Sequence, residues 1–382
     1  MAKNKFFAVV RGLTMGVLEI PWEKCREYVD GFTNARFKGF LYAEDAVAWY
    51  LAEGGEKSFL TEEQLAMVKG AAPAEPTCPP LRFRRLADIL EDTEQGCMRA
   101  LDLPESLNHS ILDWFRTTSL ETMPPEQLQA IRSQRINYSD LQETDYHGNA
   151  GNYVLAYMLT NFYKIWLPLW GLLQKRGLST KLKVLDLGAG PGTSTFSLWY
   201  LFSLLARENP DREFVLDCCA VEREKDFLQI MESLDKTYRE SIRTDNLKIN
   251  LRTSQDDIYN FAACENEHYD LVMESNVLNC NEAISWDKPT SLPLVLMNRV
   301  KEKGTLILLE PGKEKNLRAL ETIAKLLSHY PVMECVMPPK QSAVPLGGLS
   351  LLQSAEAIGI RYTHQKKHWF SYVVFQKRSE NP

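Results

Sequence analysis

An apolar run, Leu182 to Leu187, ends in Gly188-Ala189-Gly190-Pro191-Gly192, and a long apolar stretch at helical spacing follows. That order predicts a buried parallel strand turning tightly into a helix, and with it an α/β fold built around the turn. The glycines let a ligand approach the backbone, and the helix amides face the crevice at the strand's carboxyl end. A dinucleotide-binding turn would read G-x-G-x-x-G, its third glycine packing helix on strand around a pyrophosphate. Here the spacing is G-x-G-x-G, with Pro191 stiffening the loop and Asp186 just before it.

Further strands follow in order. Phe214 to Val221 is an apolar run closed by Glu222, and Leu247 to Leu251 reads as a third strand ahead of Gln255-Asp256-Asp257. Tyr269 to Glu274 is a fourth, opening into Ser275-Asn276-Val277-Leu278-Asn279, and Gly304 to Leu309 a fifth, ending at Glu310-Pro311-Gly312. Strands alternating with helical stretches predict a parallel sheet covered on both faces. Ile360 to Gln365 and Trp369 to Gln376 read as a closing β-hairpin.

This order, with Asp186 and the loop 188–192, resembles the class I S-adenosylmethionine-dependent methyltransferases and their motif I. The resemblance implies a Rossmann-like sheet over residues 151–382 and S-adenosylmethionine as cofactor. Asp186 and the loop residues Gly188, Ala189, Gly190, Pro191, Gly192 and Thr193 would hold its methionine end. Glu222 would accept the ribose hydroxyls, Asp256 or Asp257 would meet the adenine amino group, and Glu274 would line the crevice. Tyr153-Val154-Leu155-Ala156-Tyr157 to Trp166, Asn276 to Asn279, Leu308 to Gly312 and Phe370 to Val374 further resemble the mitochondrial small-ribosomal-subunit methyltransferase-like family. That family carries a cysteine-rich segment for an iron–sulfur cluster. Here Val336 to Leu346 contains no cysteine, and such clusters ordinarily need four thiolates, so neither cluster nor metal is expected.

Residues 5–52 alternate strand and helix on a smaller scale, a small α+β domain over 1–54. Phe6 to Val10, Gly16 to Ile20 and Arg36 to Leu41 read as strands, Trp22 to Val29 and Glu44 to Leu51 as helices. The strings Phe6-Phe7-Ala8-Val9-Val10-Arg11-Gly12, Trp22-Glu23-Lys24-Cys25 and Ala35-Arg36-Phe37-Lys38-Gly39-Phe40 resemble the hybrid-binding domain of eukaryotic ribonucleases H and caulimovirus viroplasmin. The resemblance implies an RNA–DNA hybrid, or another RNA-containing duplex, as partner. Phe7, Trp22 and Phe37 would then form an aromatic surface, with Arg36 and Lys38 beside it for phosphates. Aromatic platforms and 2′-hydroxyl contacts suit RNA-containing duplexes. This sequence departs from that family's pattern at Phe7, Leu13-Thr14 and Gly39. Residues 3–38 hold seven Lys/Arg against four acids, a modest surplus for a nucleic-acid binder.

The 382 residues carry a net charge of −6, so any nucleic-acid contact must be a local patch. Eight cysteines without a C-x-x-C pair read as reduced thiols in a cytoplasmic protein, with Cys218 and Cys219 in the core. Tyr153 to Leu173 is apolar over about a membrane's width, but Asn161, Lys164 and Pro168 interrupt it. It reads as a helix packed on the sheet, and no membrane partner is expected. Gly70 to Pro80 has linker composition, giving a linker over 55–80. Residues 81–150 read as a helical extension, from Leu86, Ile89 and Leu90, from Leu112, Trp114 and Phe115, and from a helix starting at Pro124-Pro125.

Asn276 and Glu310 lie at carboxyl ends of strands and are the candidate catalytic residues, with no base assigned. Neither a Pro-Pro-aromatic tetrad after the fourth strand nor a Pro-Cys nucleophile occurs. His364 and His368 are four apart in a predicted hairpin, which is no helical ligand pair. Three functions remain open: an RNA-directed methyltransferase, a small-molecule methyltransferase whose amino-terminal domain contacts protein, and a non-catalytic cofactor-binding factor in ribonucleoprotein assembly.

Overall fold

Period-two alternation in Phe6-Phe7-Ala8-Val9-Val10 sends Phe7 and Val9 to one face of a strand and Ala8 and Val10 to the other. A computed structural model describes residues 6–32, 35–69, 81–83, 103–114, 150–258, 260–261, 267–277, 292–345 and 367–378. They fall into two units, 1–79 and 80–382.

In the first unit, β1 (Phe6–Arg11) pairs antiparallel with β2 (Gly16–Glu19) and β3 (Arg36–Phe40), in the order β2-β1-β3. Helix α1 (Trp22–Val29) covers one face, burying Cys25 and Val29 against Phe7 and Val9. Helix α2 (Ala43–Ala52) covers the other with Ala46, Val47 and Tyr50 against Ala8 and Val17. The turn after β1 is tight: a Cβ on Gly12 would meet Val9 Cγ1 at 2.8 Å and the Tyr28 carbonyl oxygen at 2.9 Å.

The domain does not stop at residue 54. A 3-10 turn (Lys57–Phe59) and α3 (Glu62–Lys69) fold back, burying Leu60 in the α2-side core with Leu65 packed against it. Thr61 and Gln64 cap α3 reciprocally, the Gln64 N–H donating to Thr61 Oγ1 at 3.2 Å and the Thr61 N–H to Gln64 Oε1 at 3.0 Å. Gln64 Nε2 also donates to the Val17 carbonyl at 2.8 Å. The stretch 57–69 expected as linker is therefore part of the domain.

The second unit is a seven-stranded sheet in the order β6-β5-β4-β7-β8-β10-β9. β4 (Lys181–Leu187), β5 (Phe214–Glu222), β6 (Leu247–Gln255), β7 (Tyr269–Ser275) and β8 (Val300–Pro311) are parallel. β10 (Lys367–Lys377) runs antiparallel between β8 and β9 (Met333–Pro345). Helices α4 (Glu105–Trp114), α5 (Ala150–Phe162), α6 (Trp166–Arg176), α7 (Thr193–Glu208), α8 (Lys225–Ser241), α9 (Leu292–Arg299) and α10 (Glu314–Leu327) accompany it. One core gathers Trp166, Trp170, Phe196 and Trp199 on Val184 and Leu216, and a second gathers Leu320 and Ile323 on Leu185, Leu187, Leu306 and Leu308. Covered on both faces, the central strands read as nearly continuous apolar runs.

One expectation changes here. Ile360 to Gln365 lies outside the described residues, and the partners of the last strand are β8 and β9 rather than a neighbouring hairpin arm. Phe370, Tyr372, Val373 and Val374 of β10 are all buried, as an interior strand requires. β9 tolerates Pro338-Pro339 because it is an edge strand, and its register with β10 shifts between the pairs Tyr372↔Lys340 and Val374↔Met337. Of the helical extension, α4 buries Leu107 and Ile111 in the Trp166 core and packs on α8. The readings at Leu86, Ile89, Leu90, Phe115 and Pro124 lie outside the described residues, as does His364. The apolar stretch 153–173 is α5, a 3-10 turn (Tyr163–Ile165) and α6, and no described helix is long and apolar enough to cross a membrane.

Candidate functional site

The glycine loop closes β4 against β5. The Gly188 and Ala189 N–H groups donate to the Val221 carbonyl at 2.9 and 3.0 Å, and the Gly190 N–H donates to Glu222 Oε2 at 2.9 Å. Glu222 Oε1 accepts from the Glu224 N–H at 2.9 Å. Burial pushes the Glu222 carboxyl upward in spite of these donors. Gly190 is left-handed (φ 54°), and a Cβ built on it would meet nothing within 4 Å, so the backbone there opens onto free space. Gly188 is left-handed too, and its missing Cβ is replaced by the Val277 side chain, whose Cγ2 lies 2.1 Å from where that atom would be. Gly192, at φ 86°, starts α7, with Pro191 and Thr193 buried on either side.

Asp186 lies beneath the loop. Strand alternation aims it at α7, where its Oδ2 accepts from Thr195 Oγ1 at 2.7 Å, and burial raises its carboxyl to about 7. It ties strand to helix and is itself only 1% exposed, so it shapes the loop from below. Asp256 and Asp257 follow β6, the Asp256 N–H donating to the Glu222 carbonyl at 3.2 Å. Both are half-buried.

A cluster of buried polar side chains gathers at the carboxyl ends of β7 and β8. Glu274 is buried and accepts from the Val277 N–H through Oε1 at 2.5 Å. Asn276 adopts φ 64°, a left-handed conformation in which asparagine is enriched, and its N–H donates to the Leu309 carbonyl at 2.8 Å. Its Oδ1 accepts from Lys164 Nζ at 2.9 Å, across 112 residues of sequence. Lys164 is 1% exposed. Burial lowers its amine to about 7, against the raising influence of Glu310 and Glu274. His368 of β10 is driven well below its ordinary range by burial and then by Lys164, so its ring is neutral. Glu310 and its cross-strand neighbour Ser371 are buried as well.

Asn276 and Glu310 both lie about Lys164, the first through a hydrogen bond and the second through its charge, and Lys164, His368 and Ser371 are neighbours that the sequence reading did not single out. A lysine inside an apolar run was the visible signal, because such a group is buried only when it has partners. Its partners could not be read from spacing. Cys218 and Cys219 are core residues, and burial carries the Cys218 thiol up to about 12. No group of three potential metal ligands occurs among the described residues.

The first unit carries an aromatic ladder. Phe7 and Trp22 have ring centroids 5.6 Å apart, and Trp22 stacks on Phe37 at 5.7 Å. Phe7 is buried, whereas Trp22 and Phe37 are 42% and 37% exposed. Arg36 and Lys38 do not join them on that face. Alternation along β3 sends both to the α2 side, where Arg36 pairs with Glu53 at the end of α2 and Lys38 Nζ lies 5.6 Å from the Phe40 ring centroid.

The strand order with its antiparallel β10, together with the loop geometry, decides the architecture. The second unit has the class I methyltransferase fold. Among solved structures, the chain is similar to the ribosomal protein L11 methylase of Lactobacillus delbrueckii subsp. bulgaricus, at 11% identity over 57% of this chain and 80% of that one, TM-score 0.34. It is similar to the precorrin-6y C5,15-methyltransferase of Geobacter metallireducens, at 16% identity over 55% and 87%, TM-score 0.32. An rRNA methylase of Streptococcus thermophilus matches at 13% identity over 56% and 96%, TM-score 0.33. Residues 5–50 match the family described as the Ribonuclease H1 N-terminal domain. No curated protein matches the chain.

Proposed function

We propose that this protein is an S-adenosylmethionine-dependent methyltransferase acting on RNA or an RNA-containing duplex that its amino-terminal domain binds. The observation that carries the cofactor reading is Gly190, left-handed and facing open space with its N–H held by Glu222. The donor set fits the cofactor. A carboxylate has about four acceptor sites, and Glu222 meets the backbone N–H groups of Gly190, Glu224 and Arg223. Gly188 to Thr193 and Glu222 would hold the cofactor, with Asp256 and Asp257 at its base end. When bound, it supplies an electrophilic methyl group. The chain's own part is to orient the acceptor and exclude water: Asn276, Glu274 and Glu310 line the adjoining strand ends, and Lys164 fixes Asn276. Replacing Gly190 with Asp fills the open space with a carboxylate and should abolish cofactor binding in calorimetry. Equal affinity of the two proteins would refute the cofactor reading.

The exposed Trp22–Phe37 stack supports the duplex reading, since a flat apolar platform tolerates any sequence. Trp22→Ala in the full chain should weaken binding of RNA-containing duplexes by roughly 1–3 kcal/mol or less. Arg36→Ala should change it little, because that guanidinium is paired with Glu53 on the other side of the sheet. Filter binding at low salt checks both, and the reverse order of effects would put the contact surface on the α2 side.

A second reading, a small-molecule methyltransferase with a protein-contacting amino-terminal domain, is favoured by the removal of Arg36 and Lys38 from the aromatic face. Absence of duplex binding by the folded chain would give it the lead.

A further inference from the structure

The 3-10 turn Tyr163–Ile165 carries a lysine into the interior, where burial of a cation is costly without partners. Its Nζ donates to Asn276 Oδ1 at 2.9 Å. Asn276 is also held by its backbone, through the bond to the Leu309 carbonyl, in a conformation that few side chains adopt. The next residue, Val277, donates its N–H to Glu274 and rests its side chain on Gly188. A continuous run of contacts therefore leads from the helix layer through Lys164, Asn276 and Val277 to the glycine loop.

We propose that Lys164 is a positioning residue for the cofactor crevice: by gripping the Asn276 side chain it fixes the turn 274–277, and that turn keeps Val277 seated on Gly188. The proposal takes its crevice from the methyltransferase reading, but the coupling itself belongs to the apo protein. The groups facing Lys164 are Asn276 and Glu274 from the end of β7, Glu310 from β8 and His368 from β10. With the amine lowered to about 7 by burial, the grip changes character near neutral pH. Above that pH a neutral amine donates to Asn276. Below it an ammonium also draws on Glu274 and Glu310.

Amide hydrogen exchange on the full chain without ligand tests the coupling. Lys164→Met should speed exchange at Asn276 and at Gly188 to Gly190 by about tenfold, the size of one lost hydrogen bond to a charged group. Amides in the sheet centre, such as those of Val184 and Leu216, should be unchanged. Asn276→Gly keeps the left-handed backbone while removing Oδ1, and should speed the same glycine-loop amides. It also decides the matter if Lys164→Met does not fold. A merely structural lysine would loosen residues 160–170 and leave the glycine loop alone, and that outcome overturns the proposal. In calorimetry, wild-type affinity for S-adenosylmethionine should vary between pH 6 and 8.5, and Lys164→Met should flatten that variation. A pH profile kept unchanged in the variant overturns the proposal too. If wild type binds no cofactor at any pH, the methyltransferase reading fails, and the exchange experiment still decides the role of Lys164.

Discussion

Asp186 illustrates how one buried side chain can tie a strand to a helix while the same burial displaces its titration. It ends the apolar run before the glycine loop, and the resemblance assigns it to the methionine end of the cofactor. In the structure its shown bond goes to Thr195, and burial raises its carboxyl from an ordinary 3.8 to about 7. The folded chain therefore holds a proton there that the unfolded chain releases. That contribution to stability is fully present below about pH 4 and is lost as pH rises through about 7. Asp186→Asn, which can still accept from Thr195, should remove this dependence. Its urea midpoint should gain on wild type between pH 5 and pH 8, whereas parallel curves would mean that Asp186 titrates normally. The placement of Asp186, Glu222, Glu274, Asn276 and Glu310 at or beside strand ends was legible, because the apolar run of each strand is plain. Lys164 was visible as an oddity but not as a member of the site. Its bond to Asn276 depends on how α5 and α6 fold back on the sheet, and no spacing encodes that.

Elements show the same division. β4, β5, β7 and β8 were readable because burial on both faces leaves nearly continuous apolar runs, while β6, at the sheet edge, showed itself by alternation instead. β9 was not, since its segment contains three prolines and alternates only loosely, and its strand character comes from pairing with β10. The split of Phe37 from Arg36 and Lys38 follows from period-two alternation, so it was available in the sequence once β3 was recognised. α3 was equally available: Thr61-Glu62-Glu63-Gln64 is a capping box, and the linker-like composition begins only at Gly70. Because Leu60 and Gln64 tie that segment to the sheet, a fragment ending at residue 54 should unfold at a lower temperature than one ending at 69. Leu60→Ala in the longer fragment should cost about 2–5 kcal/mol, a large share of what so small a domain has. Thermal unfolding by circular dichroism checks both, and identical melting of the two fragments would restore the linker assignment.

In the whole molecule, a fold that hosts many acceptors is joined to a small domain with an exposed aromatic stack. A fold of this class does not by itself choose the acceptor. The net charge of −6 gives no general attraction to nucleic acid, so any such contact is a local patch. The most direct measurement gives the purified full chain methyl-labelled S-adenosylmethionine together with cellular RNA, or with a small-molecule extract. RNA-directed methyl transfer puts label in the RNA, absent with Gly190→Asp and reduced with Trp22→Ala. Label confined to the small-molecule extract, or label in RNA that survives Gly190→Asp, would contradict it.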